Sequence, residues 1–107
     1  MRLMITDVFD DDESRRKGLM GRMIGGHECV LFLYPVGGMH SFWMKDVPVD
    51  LYASAIDGGK CVWSEHMEAF TVTPHVIGAM SRVIIESCVE IPVGSDVDIL
   101  NGFLEFA

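Results

Sequence analysis

Residues 29–34 read CVLFLY, six apolar side chains in an unbroken row, as in a strand covered on both faces. Working outward, the chain repeats this theme as short apolar runs of roughly four to eight residues, punctuated by Gly, Pro and Asp, which is the rhythm of an all-β domain. Upstream, residues 2–8 are a candidate first strand. Downstream, Pro35-Val36-Gly37-Gly38 should break the run, and 40–44 and 49–56 should be strands. Asp57-Gly58-Gly59-Lys60 is a hairpin signal, because glycine accepts the positive φ such turns require, and 61–66 would be the returning strand.

Residues 70–73 are expected to extend the ladder before Pro74, and 82–91 (RVIIESCVEI) form the longest β-like run, ended by Pro92-Val93-Gly94-Ser95-Asp96. Strands at 97–100 and 103–106 would finish the sheet around Asn101-Gly102, a type I′ signal. One helix is expected over 11–20. Asp11 or Asp12 can cap it, and Arg15, Arg16 and Lys17 suit its C-terminal dipole. Leu19 and Met20 would plug it onto the sheet, and Gly21 would serve as a left-handed C-cap. No repeat or linker interrupts the 107 residues, so the expectation is one all-β domain over 1–107, a compact antiparallel β-barrel or sandwich with a short helix across its mouth.

Eight Lys and Arg against sixteen Asp and Glu leave a net charge of −8, which repels phosphate backbones and anionic lipid. The one basic cluster, Arg15-Arg16-Lys17, follows the acidic run Asp10-Asp11-Asp12-Glu13 and is largely cancelled by it. Nucleic acid and membrane are therefore disfavoured as partners. Cys29, Cys61 and Cys88 are odd in number and lack CxxC spacing, which argues against a disulfide scaffold or zinc ribbon. With no signal-peptide pattern at the start, a soluble protein of a reducing, cytoplasmic compartment is the expectation.

Residues 39–46, MHSFWMKD, are the densest mixture of polar and aromatic side chains. On one strand, Phe42 and Met44 would share the core face, leaving Trp43 and Lys45 together on the other. Trp43 would offer a flat contact surface, Lys45 and Asp46 orienting charge, and Arg16 or Arg22 could close a pocket from the helix end.

Several motifs together resemble the family called domain of unknown function 192. They are RRKGLMGRM, the CVLFLYP strand, SFWMKD, AID before the Gly-rich turn, VIIE, and PVGSDVDIL, spanning residues 16–100. The most specific is Phe42-Trp43-Met44-Lys45. Asp46 stands where that family usually has Asn, its Pro-Leu-Asp triplet reads Asp50-Leu51-Tyr52, and the stretch after Glu86 is too brief for the short helix commonly inserted there. The resemblance implies a compact antiparallel β-barrel without an agreed biochemical activity. Exported relatives and phage-encoded relatives bring a virion or accessory role into consideration by analogy.

For chemistry, His27, His40, His66 and His75 form no metal-binding spacing, although His66 and Glu68 would share a strand face. No metal or cofactor is expected. His40 and Ser41 point to opposite faces, and no GxSxG elbow exists. The eight methionines are read as core filling and the acidic run as helix capping. The favoured reading is a non-catalytic binding or accessory module for a small ligand or protein, with Arg16, Arg22, Trp43, Lys45, Asp46 and Glu86 as candidate ligand-binding residues. Its rivals are a small hydrolase-like enzyme centred on Lys45, Asp46 and Glu86, and a structural protein that self-associates or joins a larger particle.

Overall fold

The computed structural model describes all 107 residues, within an envelope of 31 × 27 × 23 Å. Its elements in chain order are β1 (Arg2–Phe9), α1 (Asp12–Lys17), β2 (Glu28–Gly38), β3 (Ser41–Phe42), β4 (Leu51–Asp57), β5 (Lys60–Met67), β6 (His75–Val76), β7 (Ser81–Ser87), β8 (Val97–Leu100) and β9 (Phe103–Phe106). Seven strands form one curled sheet in the order β5-β4-β7-β2-β1-β9-β8, while β3 and β6 pair separately. The sheet is a half-barrel. Its two edge strands meet at one end only, where the Cys61 N–H donates to the Ser95 carbonyl (3.0 Å) and the Val97 N–H to that of Gly59 (2.8 Å). Lys60 and Asp96 pair across the same seam at 2.5 Å.

The all-β expectation holds, with one correction to the topology: β1 and β2 run parallel, whereas every other pair in the large sheet is antiparallel. Parallel neighbours need a long crossover. Residues 10–27 supply it, and α1 is the helix within it. That helix is shorter than expected. Asp11 caps it by accepting from the Ser14 N–H at 2.7 Å, and the chain leaves helical geometry at Gly18 rather than Gly21. Leu19 nevertheless inserts into the core, so the plug belongs to the loop after the helix.

The CVLFLY run is covered on both faces. Val30 and Phe32 belong to one core cluster, with Leu51, Ala53, Ala55 and Ile84, while Cys29 and Leu31 belong to the other, with Leu3, Ile85, Ile91 and Leu104. Pro35 does not end β2. The strand continues to Gly38 through a register irregularity opposite β7, which is where a sheet accommodates proline. Two further runs depart from expectation: 82–91 stops pairing at Ser87, and 70–73 is not a strand. The two hairpins hold as read, with positive φ at Gly58 and Gly59 and at Asn101 and Gly102. No helix is long and apolar enough to cross a membrane.

Candidate functional site

Val30, Glu86 and Ala53 form one cross-strand row on β2, β7 and β4. The two-residue period of a strand puts Glu86 on the same face as Ile84, within the core cluster that contains Phe32. Glu86 is only 5% exposed, accepts no hydrogen bond and forms no ion pair. Burial pushes its carboxyl up to about 8, because removal from water disfavours the charged form. The carboxyl faces a cavity of about 310 Å³, whose floor it shares with Phe32.

One wall of the cavity comes from the end of α1 and the loop after it, through Arg16, Lys17, Leu19 and Met20; the other comes from Ser41, Phe42, Trp43 and Met44. Phe42 packs edge-on against Phe32 with centroids 5.0 Å apart, and Met44 is 1% exposed. Trp43 between them is 50% exposed. The inward and outward alternation thus continues past Phe42, although the regular strand ends there. Lys45 follows the same outward side, its Nζ 5.9 Å from the centre of the Trp43 ring, within cation–π range.

At Lys45 and Asp46 the chain reverses in a turn closed by the Val47 N–H and the Met44 carbonyl at 3.1 Å. Asp46 sits at φ 60, a left-handed position that Asn and Asp tolerate better than most residues. Asp46 therefore keeps the backbone shape that Asn would give there. The Asp46 carbonyl accepts the Gly21 N–H at 2.7 Å, which ties the two walls together.

Of the candidate residues, Arg16, Trp43 and Glu86 meet around the cavity, and Lys45 stands over Trp43. Asp46 acts as a backbone brace with its side chain outside. Arg22 lies apart, bound to Asp7 at 2.6 Å with its guanidinium 6.0 Å from the Phe9 ring. His40 stacks on Tyr34 at 3.5 Å and places Nε2 2.8 Å from the Ser81 carbonyl, so it braces β2 rather than entering the site.

Among the lining residues that the sequence reading assigned to no site are Arg15, Lys17 and Tyr34. Arg15 donates to the Leu33 carbonyl at 2.7 Å, pairs with Asp12 at 2.8 Å and lies over the Tyr34 ring. Burial pushes the Tyr34 phenol up to about 12, with Arg15 opposing and Glu86 adding to the rise. The available signal was parity, since Tyr34 follows Phe32 by two positions, but the expected break at Pro35 obscured it.

The cavity lining contains no His, no Cys and no second carboxylate, and neither Lys45 nor Asp46 lines it beside Glu86. A hydroxyl–imidazole–carboxyl series does occur elsewhere, with Thr71 Oγ1 3.0 Å from His75 Nε2 and His75 Nδ1 3.9 Å from Glu65. Thr71 donates its proton to the Glu68 carbonyl, however, and 3.9 Å is too long to orient the ring. His66 pairs with Asp50 at 3.4 Å, and no three His, Cys, Asp or Glu side chains converge as metal ligands. Burial raises all three cysteine thiols, Cys29 to about 11, which makes them poor nucleophiles.

Among solved structures, the chain resembles a protein of unknown function from Novosphingobium aromaticivorans, at 19% identity and a TM-score of 0.79 over 89% of this chain and 75% of that one. It also resembles a Sinorhizobium meliloti protein described as a "putative transcription regulator", at 18% identity and a TM-score of 0.71 over 82% and 78% of the two chains. These likenesses are of fold. No curated protein matches the chain. The family model DUF192, described as "Uncharacterized ACR", matches residues 3–96, and with the Phe42–Lys45 signature and half-barrel in place, the chain belongs to that family.

Proposed function

We propose that the protein is a non-catalytic binding module that takes a small ligand between the α1 end and the Trp43 loop, with Glu86 as the polar contact at the floor. The observation that carries this reading is the Glu86 carboxyl, buried in a row with Val30 and Ala53 and left without a partner. Taking the carboxyl largely out of water carries a free-energy cost that an apolar residue at the same place would not. A donor arriving from solvent removes that cost. Support also comes from the half-exposed Trp43, a large rigid wall at the cavity mouth, and from a volume within the range of small-molecule sites.

A fragment panel read by thermal shift and by ¹H–¹⁵N spectra tests it. Binders should raise Tm and move the indole resonance of Trp43 while leaving that of Trp63 in place. A panel in which no compound does both would overturn the reading.

Exposed apolar residues on and around β3 and β6, among them Met39, Phe70, Val76 and Met80, favour self-association as a second reading. Sizing at rising concentration decides it: a monomer throughout removes this alternative.

A further inference from the structure

Four of the eight basic side chains, Arg2, Arg15, Arg22 and Lys60, pair with a carboxylate. Of the other four, Arg16 and Lys17 line the cavity, and Lys45 stands over the Trp43 ring that also lines it. In a chain with twice as many acidic as basic residues, three cations without a carboxylate partner thus gather at one mouth. The single carboxyl in the cavity, Glu86, is at the floor and forms no ion pair with them. Between floor and mouth the lining is mainly apolar, from Leu19, Phe42 and Met44, with Tyr34 and Arg15 beside them. The site therefore presents an acceptor at depth, a greasy middle and positive charge at the rim.

Resting on the binding reading above, we infer that the occupant is a short bifunctional molecule with a primary ammonium at one end, an apolar spacer, and a carboxylate at the other. Its ammonium meets Glu86, its spacer lies along Phe32 and Phe42, and its carboxylate meets Arg16 and Lys17. The reverse orientation buries the ligand's carboxylate at a poorly solvated floor, away from the Arg16 and Lys17 cations, which desolvation of the ionised group opposes. A simple anion gains the rim but leaves Glu86 unpartnered, and a simple amine gains the floor but leaves the rim unused.

Straight-chain ω-amino acids from 4-aminobutanoate to 8-aminooctanoate are suitable probes, with hexanoate and hexylamine as single-ended controls. Calorimetry gives Kd, and the Trp43 indole resonance reports the place of binding. At least one member of the series should bind 10-fold or more tightly than either control. Glu86→Gln should reduce that member to the affinity of hexanoate, while the double variant Arg16→Ala/Lys17→Ala should reduce it to that of hexylamine, both variants keeping wild-type spectral dispersion.

If a single-ended control binds as tightly as every amino acid in the series, the bifunctional inference is overturned. If no probe moves the Trp43 resonance while neutral fragments do, the inference falls and the binding reading stands. If neither probes nor fragments move it, both fall.

Discussion

Trp43 and Met44 are chain neighbours with opposite surroundings, 50% and 1% exposed, and that difference predicts opposite mutational costs. Truncating Met44 to Ala leaves a hole in the core cluster that also holds Leu19, Val47 and Phe32, and should destabilise by about 2–5 kcal/mol. Trp43→Ala deletes a cavity wall that water already touches, so its cost should be about 1 kcal/mol or less. Urea unfolding of the two variants measures both. A Trp43→Ala loss of ~3 kcal/mol or more would mean that the indole seals the core, and the ligand wall would have to be sought elsewhere. This contrast was legible in the sequence because side-chain parity needs no ladder partner: the alternation from Phe42 to Lys45 persists after β3 has ended.

At the scale of elements, residues 70–73 show where sequence reasoning failed. Phe and three β-branched residues before Pro74 look like a strand, yet Phe70 sits at φ 62 with its side chain 62% exposed. Its N–H donates to the Val47 carbonyl at 3.0 Å, and the Thr71 carbonyl accepts the Met44 N–H, also at 3.0 Å. These tertiary bonds to the Trp43 loop override local propensity. Left-handed geometry is costly for a bulky residue. Phe70→Gly should therefore raise stability by about 0.5–1 kcal/mol in thermal or urea unfolding, whereas a loss would show that the ring makes contacts worth more than the strain. Runs whose own residues set their geometry were read correctly, as with the Asp57–Lys60 and Asn101-Gly102 turns, which required only Gly or Asn at positive φ. The parallel β1–β2 pair and the early end of β7 were not legible, since strand direction and pairing length depend on distant segments. The candidate site divides the same way. Glu86 could be found from parity with Ile84 in an apolar strand, whereas the place of Arg22 apart from the cavity could not, because Asp7, fifteen residues earlier, captures that side chain.

For the whole molecule, the sheet's two faces are closed by different means. One is sealed by β8, β9 and the segment containing Ile91, with the seam between Lys60 and Asp96 holding the edges together. The other is covered by loops carrying Leu19, Ile24, Met44, Val47 and Ile77, and it is there that a cavity reaches the sheet at Glu86. That arrangement makes global stability depend on one carboxyl. Its folded value is about 8 against 4.5 for an exposed glutamate, so between those values the native state holds a proton that the unfolded chain has released. Stability from this group is then complete below pH 4.5, falls as pH rises toward 8 and is level above it. At ~1.4 kcal/mol per pH unit, the loss across the window is at most about 5 kcal/mol. Glu86→Gln keeps the shape and removes the titration, so the difference in unfolding free energy between the two proteins should shift in the variant's favour as pH rises from 5 to 8. Taking that difference cancels the histidines and surface carboxylates common to both. A difference independent of pH would mean that water solvates the carboxyl in place, leaving no unmet demand at the cavity floor. If the dependence is present, an ammonium probe bound at the floor should reduce it, because a cation beside Glu86 favours the ionised carboxyl that burial alone disfavours.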